Sequence, residues 1–461
     1  PLVRLTFARP LHSMTLLTQL ISLLDQGKNI VLHGPGGVGK SYAICHLVDY
    51  YRTKNNMTIA STPVTALTGV AAVVLSQSGA KARTLHSWAG IGKGEGQAEF
   101  LAKNILDDPK KKGRWRAAWL LVIDEVSMLS QDLFDKLDYI GRVVRETDLP
   151  FGGIQLILSG DFLQNPPVKA KFVFTSEKWM ITPFVWIDLN IPKRYSDEVW
   201  FQRLLRFRKA EHTPEDWAFL ESRYDAWNVL LREVEEGKVM ILPTILRGTR
   251  VEVADENQGE LDKLPGKASE YVVRYTFSPK KGGHVNRQYI IKLFEDQIPH
   301  TVYLKVGAQV MLRYNIDVDS GLVNGSRGVV TGIEPAGVEV MWINGLKTVV
   351  QLNVWGLEDD DGIYTCTQIP LILAWSITIH KAQSSTLDCV VVDLAKLFGE
   401  GQGYVGLSRV RSESGLYISG MTTPSKIFAS KQALAYLDSV QASKTEGILP
   451  EVTVRRNERD G

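Results

Sequence analysis

The chain has 461 residues, 44% of them hydrophobic and 23% charged, with a formal net charge of +2. That length and composition suit about three soluble domains, and so small a net charge excludes a nucleic-acid surface built on global positive charge. No run approaches the roughly 20 apolar residues needed to cross a bilayer.

Cys45, Cys366 and Cys389 are far apart, with no CxxC and no nearby His pair. They argue against a zinc site or a disulfide framework and for a reducing, intracellular compartment. The opening run Pro1-Leu-Val-Arg-Leu-Thr-Phe7 has neither an initiator Met nor a signal-peptide pattern, so a piece of a longer protein is expected. Nuclear, mitochondrial and viral settings all stay open.

In chain order, Met14–Leu24 carries apolar residues at helical spacing, with Gln19 on it. The short apolar run Asn29–His33 then leads into Gly34, Pro35, Gly36, Gly37, Val38, Gly39, Lys40 and Ser41, with Tyr42 opening a helical pattern. Strand, glycine loop and helix form the context that the phosphate-binding signature GxxxxGK[ST] requires. The glycines let backbone N–H groups converge on an anion, and the helix N-terminus adds its positive end. Lys40 is expected on the β/γ-phosphates and the Ser41 hydroxyl on Mg²⁺.

Met57–Pro63 reads as a second strand. Beyond it, Pro63, Thr65, Thr68 and Gly69, and then His86, Ser87 and Trp88, are candidates for nucleic acid. Small hydroxyl residues and Gly let backbone amides approach a phosphodiester, and His86 and Trp88 offer a hydrogen bond and a stacking face. A core role for Trp88 is equally open. Residues 92–116 are rich in Gly and Lys and read as an excursion from the sheet.

The buried-strand pattern Trp119–Ile123 ends in Asp124 and Glu125. It presents two carboxylates beside the phosphate loop, Asp124 for the metal and Glu125 to orient and deprotonate water. A helix over 133–146 and a strand over 154–159 follow. That strand delivers Gln164, placed to bond a γ-phosphate while its neighbours touch DNA. The basic clusters Lys110–Arg114 with Arg116, Arg203–Lys209 and Lys280–Lys281 read most simply as solvated faces.

At Asp132–Leu137, Pro150–Ile157, Gly160–Gln164 and Thr84–Ile91 the sequence resembles the PIF (petite integration frequency) family of DNA helicases, in the 5′-to-3′ branch of superfamily one. Lys305–Leu312 with Leu322–Gly328, Pro370–Gln383 and Gly401–Arg411 extend the resemblance. It implies two RecA-like α/β P-loop lobes, with a small β-barrel inserted in the second. The implied domains are 1–184; 185–301; 302–365, the barrel, where short strands of period two are separated by Asn-Gly turns; and 366–461, ending in a helix and a basic tail. Asp359–Asp361 reads as a solvated loop.

The resemblance makes Gln19 the adenine reader. It places Arg194 in the second lobe facing the γ-phosphate and makes Arg409 an arginine finger. Thr378, His380 and Lys381 fall on the DNA backbone, and Gln383 bridges to the triphosphate. Tyr195 stands where the family usually has Gln, and Ser384 where it has Gly.

The implied cofactors are ATP and Mg²⁺, and the implied partners single-stranded DNA and its junctions with duplex. A monomer is expected, with a dimer on DNA left open. Triphosphate would draw Arg194 and Arg409 toward Lys40, and the 92–116 excursion is the candidate wedge for the duplex. The expected activity is 5′-to-3′ unwinding in replication, repair and recombination. The rival readings are a triphosphate switch that does not translocate, a DNA-binding module with a degenerate ATP site, and a helicase acting on RNA or with opposite polarity.

Overall fold

The structure is a computed structural model. It describes residues 11–236, 241–280, 285–295, 298–317, 320–358, 362–383 and 385–445. Two compact units emerge: the chain up to Arg194 joined by the stretch from Ser430, and Tyr195–Ala429.

The first unit is built on a six-stranded sheet. Its strands are β1 (Asn29–His33), β2 (Val64–Ala66), β3 (Arg83–Thr84), β4 (Leu120–Asp124), β5 (Gln155–Gly160) and β6 (Phe184–Asp188), in the spatial order β3-β2-β4-β5-β1-β6. Every pairing is parallel. Parallel strands are covered on both faces and so run nearly continuously apolar. Accordingly Ile30, Val31, Leu32, Leu120, Leu121, Val122, Ile123, Leu156, Ile157 and Leu158 are all buried.

Register places His33 of β1 beside Gly160 of β5 and Asp188 of β6, and Ala66 of β2 beside Asp124 of β4. All strands point the same way, so the segments leaving β1, β4 and β5 share one edge, where ligands bind in open parallel sheets.

Three boundaries differ from the sequence reading. The second strand is Val64–Ala66 rather than 57–63, because the Thr58 and Ser61 hydroxyls close a turn on their own backbone. The 92–116 excursion is helical, Ala98–Leu106 and Pro109–Ala117, the second helix started by Asp108, whose carboxylate accepts from the N–H groups of Lys110 and Lys111. Finally, β6 and the Lys431–Thr445 helix belong to the first unit, not the second. Parallel pairing of β6 with β1 decides the former.

The second unit has its own four-stranded parallel sheet, ordered Ser376–Thr378, Thr244–Arg247, Val390–Asp393, Leu416–Gly420. The helix Pro214–Glu235 opens with a capping box between Thr213 and Asp216. The strands expected as a barrel over 302–365 pair into three antiparallel sheets reaching from Ser269 to Leu373, and no pairing among the described residues closes them. Their period-two reading holds: along Gly337–Trp342 alternate residues are buried, and Val338, Val340 and Trp342 enter a core with Leu304, Val310 and Leu371. Asp359–Asp361 lies outside the described residues.

Candidate active site

The phosphate loop leaves β1 and closes on helix Lys40–Lys54. Gly39, the residue before that helix, sits at φ 89°, a left-handed conformation that a side chain would strain. Lys40 Nζ donates to the carbonyls of Gly34 (2.8 Å) and Pro35 (2.9 Å), so the loop's own acceptors hold the ammonium. Ser41 stands in the first helical turn, and Tyr42 beside it is 52% exposed. The backbone N–H groups of Lys193 and Arg194 both donate to Gly37 O, at 2.8 and 3.0 Å. Arg194 is therefore the last residue of the first unit and adjoins the loop, not a second-lobe residue.

Asp124 ends β4 and is 5% exposed. Burial, and then the neighbouring charge of Glu125, push its carboxyl up to about 6, against the pull of Lys40. Glu125 takes a left-handed backbone (φ 60°, ψ 43°), which turns the chain sharply after the strand. Gly160 makes room for this turn: a Cβ there would lie 2.8 Å from Val126 N.

Gln164 follows β5 and is buried. Its Nε2 donates to Asp161 Oδ2 at 3.4 Å, and its backbone N–H donates to Asp161 O at 2.9 Å. Asp161, fully buried, also accepts from Leu163 N at 3.1 Å and lies 3.8 Å from His33 Nε2.

Within the second unit, Arg409 is 1% exposed. Its Nε donates to Val405 O at 2.7 Å and its Nη2 to Ser408 Oγ at 2.7 Å; Nη1 approaches the carbonyls of Ala382 and Ser385 at 3.4 Å. Gln383 and Thr378 are also buried. His380 and Lys381 fall in the short helix Ile379–Ala382, but their side chains, like Ser384, lie outside the described residues. The Tyr195 hydroxyl donates to Ser408 O at 2.9 Å, next to Arg409 in sequence.

The nucleic-acid candidates divide. Thr68 caps helix Gly69–Gln77 by accepting from Ala71 N, which leaves it and Gly69 half-buried at the edge where β2 ends. His86 and Ser87 are half-buried in Leu85–Ala89, and burial lowers the His86 pKa, favouring the neutral ring. Trp88 is core: it is 2% exposed and tilted against Trp115 at 4.7 Å, with no face for a base. Pro63 is buried as well, and Thr65, fully buried, spends its hydroxyl on Val122 O at 2.6 Å. Trp88 therefore takes the core role of its two open readings, and the Thr65 hydroxyl is engaged within the sheet.

Comparisons with known proteins agree with this geometry. Residues 16–184 match the family described as PIF1-like helicase, and residues 295–333 the 2B domain of DNA helicase Pif1. A Danio rerio protein named ATP-dependent DNA helicase PIF1 is 37% identical over 412 residues, 87% of this chain and 60% of that one. The crystal structure of a Pif1 helicase from Candida albicans is 30% identical, with a TM-score of 0.72, covering 94% of this chain and 100% of that one. The chain belongs to the PIF1-like helicase family. It spans about 60% of the length of the curated relatives it matches. A Bacteroides Pif1 helicase in complex with ADP-AlF3 and single-stranded DNA is 26% identical (TM-score 0.59; 94% of this chain, 97% of that one).

Two observations fit the nucleotide and cation this family implies. Among the described residues the Oε1 of Gln19 is buried without a hydrogen-bond partner, on a helix (Leu11–Asp25) packed against Lys40–Lys54. An orphaned acceptor suits the exocyclic amine of adenine. Ser41 and Asp124 are hard oxygen donors of the kind Mg²⁺ takes alongside water and phosphate, and the raised Asp124 carboxyl is one that nearby positive charge would ionise.

The sequence reading missed His33, Asp161, Asp188 and Lys193. Lys193 Cγ would stand 3.4 Å from a Cβ on Gly39. Its only sequence signal is adjacency to Arg194.

Proposed function

We propose that this chain is an ATP-dependent DNA helicase that moves 5′-to-3′ along single-stranded DNA and separates duplex ahead of it, serving genome maintenance. One observation carries the reading: a phosphate loop with its lysine, a buried aspartate followed by a half-buried glutamate, and a buried glutamine leave adjacent parallel strands at one sheet edge. A plain nucleotide-binding loop needs neither the second carboxylate nor the glutamine.

In the hydrolytic step, Glu125 accepts a proton from water as its oxygen attacks the γ-phosphorus. The bond to the β,γ-bridging oxygen breaks, leaving ADP and inorganic phosphate. Lys40 and the loop amides neutralise charge on the phosphates, and Gln164 reports whether the γ-phosphate is present. Ser41 and Asp124 would hold Mg²⁺, which when bound spreads the negative charge of the triphosphate. Arg194 beside the loop and Arg409 are the candidate cations for transition-state charge. Thr68, Gly69, His86 and Ser87 are the candidate DNA edge of the first unit; binding of single-stranded DNA as such is supported by its presence in the Bacteroides complex.

The test is strand separation on partial duplexes with a 5′ or a 3′ overhang, with ATP and Mg²⁺, for the chain and Lys40→Ala. Unwinding from the 5′ overhang alone, lost in the variant, is expected. Unwinding from the 3′ overhang overturns the polarity. Hydrolysis stimulated by single strands without separation of either duplex turns the reading into a nucleic-acid-driven switch.

A further inference from the structure

The Lys431–Thr445 helix returns to the first unit after the whole second unit has been traversed. Ala433, Tyr436, Val440 and Lys444 recur at helical spacing on one face, and Ala433, Val440 and Lys444 are buried. Tyr436 stacks on Phe174 at 4.2 Å and meets Phe162 edge-on at 6.0 Å, and its hydroxyl accepts from Trp179 Nε1 at 2.7 Å. Phe162 directly follows Asp161, so this face of the helix reaches the segment that carries Gln164.

Lys444 adds a polar line to the same place. Its ammonium pairs with Asp188 Oδ2, while Asp188 Oδ1 pairs with His33 Nδ1 at 3.1 Å. Burial alone would raise the Asp188 carboxyl, but His33 and Lys444 together hold it well below the usual carboxylate range. The other ring nitrogen of His33 faces Asp161 at 3.8 Å, and Asp161 receives the Gln164 amide.

A carboxylate only accepts hydrogen bonds. An ionised Asp161 therefore turns the NH₂ of Gln164 toward itself and the carbonyl oxygen away, setting which groups of Gln164 remain for phosphate and water. His33 is also the residue immediately before the phosphate loop.

We infer that Lys444, Asp188 and His33 are positioning residues for ATP hydrolysis, acting through Asp161 to orient Gln164, so that the 431–445 helix is a functional part of the ATP site. This rests on the ATPase reading. A purely structural ion pair would stabilise the unit without affecting turnover once the protein is folded.

The experiment measures single-strand-stimulated ATP hydrolysis for the parent chain, Lys40→Ala, Lys444→Met, Lys444→Arg, Gln164→Ala and the double variant Lys444→Met/Gln164→Ala, with melting curves for each. Lys444→Met is expected to lower kcat about tenfold with KM for ATP changed less than about twofold, and Lys444→Arg to recover most of it. In the Gln164→Ala background Lys444→Met should add less than about a twofold further loss, since the residue it acts through is gone.

If Lys444→Met does not fold, His33→Asn decides. Its amide can still donate to Asp188 but cannot also face Asp161, and the same kcat loss is expected. An active parent with Lys444→Met, or in that case His33→Asn, within twofold in kcat overturns the inference alone. So does a Lys444→Met loss fully multiplicative with Gln164→Ala. A parent with no Lys40-dependent hydrolysis overturns the ATPase reading and this inference together.

Discussion

Glu125 combines two properties that substitution can separate. Its carboxylate is assigned to the attacking water, and its backbone occupies a left-handed conformation at φ 60° that L-residues adopt at a cost of about 1–2 kcal/mol. Glu125→Ala and Glu125→Gly both remove the carboxylate and everything it touches, so their difference isolates the backbone. Alanine keeps the steric cost. Glycine escapes it but loses roughly 0.5–1 kcal/mol through the greater freedom of its unfolded chain. Glycine should come out ahead by about 0.5–1 kcal/mol, which in a unit of this size is a melting shift of about 1–4 °C. Both variants should lose about 10²–10⁴ in kcat for stimulated ATP hydrolysis, the usual contribution of a positioned base. The assays are steady-state hydrolysis with single-stranded DNA and thermal melting of the nucleotide-free chain. A Gly variant no more stable than the Ala variant would refute the strain argument. Either variant within about threefold of parental kcat would remove Glu125 from the chemistry.

Other outcomes follow from the same geometry. Gly160→Ala sets a Cβ 2.8 Å from Val126 N and must displace the Glu125 turn; kcat should fall on the order of 10²-fold, with KM for ATP nearly unchanged in the same hydrolysis assay. Gln19→Ala removes the orphaned acceptor, so KM should rise roughly tenfold for ATP but not for GTP, equivalent to about 1.4 kcal/mol. In the second unit, the fully buried Asp216 carboxylate is bonded by Arg203 and Arg206. Burial would raise its pKa, but Arg206, the Thr213 N–H and Arg203 lower it to about 2. Because the folded pKa lies below the unfolded one, this stabilisation is complete above about pH 4 and disappears as pH falls through about 2. Asp216→Asn should therefore melt lower than the parent at pH 7 and converge with it in acid.

The phosphate loop and the Asp-Glu pair were legible because each signature is local: a strand, a turn and a helix start within about a dozen residues. What was misread depended on partners distant in sequence. Phe184–Asp188 is an apolar strand like any other, and only its register with β1 assigns it to the first unit. Trp88 offered a plausible stacking face until Trp115, from a segment read as an excursion, covered it. The pairs His33–Asp188 and Lys444–Asp188 span 155 and 256 residues. No periodicity reaches so far, and a single buried histidine before a glycine loop carries no mark of what it will meet.

Two cations of the proposed machinery already have partners within their own unit. Lys40 is held by two loop carbonyls, and Arg409 approaches three carbonyls and a hydroxyl. These acceptors are neutral carbonyls and a hydroxyl, whereas a phosphate oxygen carries a full charge and adds direct Coulomb attraction for the ammonium and guanidinium. On the proposed function, triphosphate would displace the partners of Lys40 rather than fill a gap, leaving the carbonyls of Gly34 and Pro35 without the lysine that held them. Loss of the γ-phosphate gives Lys40 back to the loop. The free energy of each exchange is a difference between two satisfied states, far smaller than the energy of either bond. A motor needs this property, because a nucleotide held by groups that had no alternative partner would bind tightly and release its product slowly.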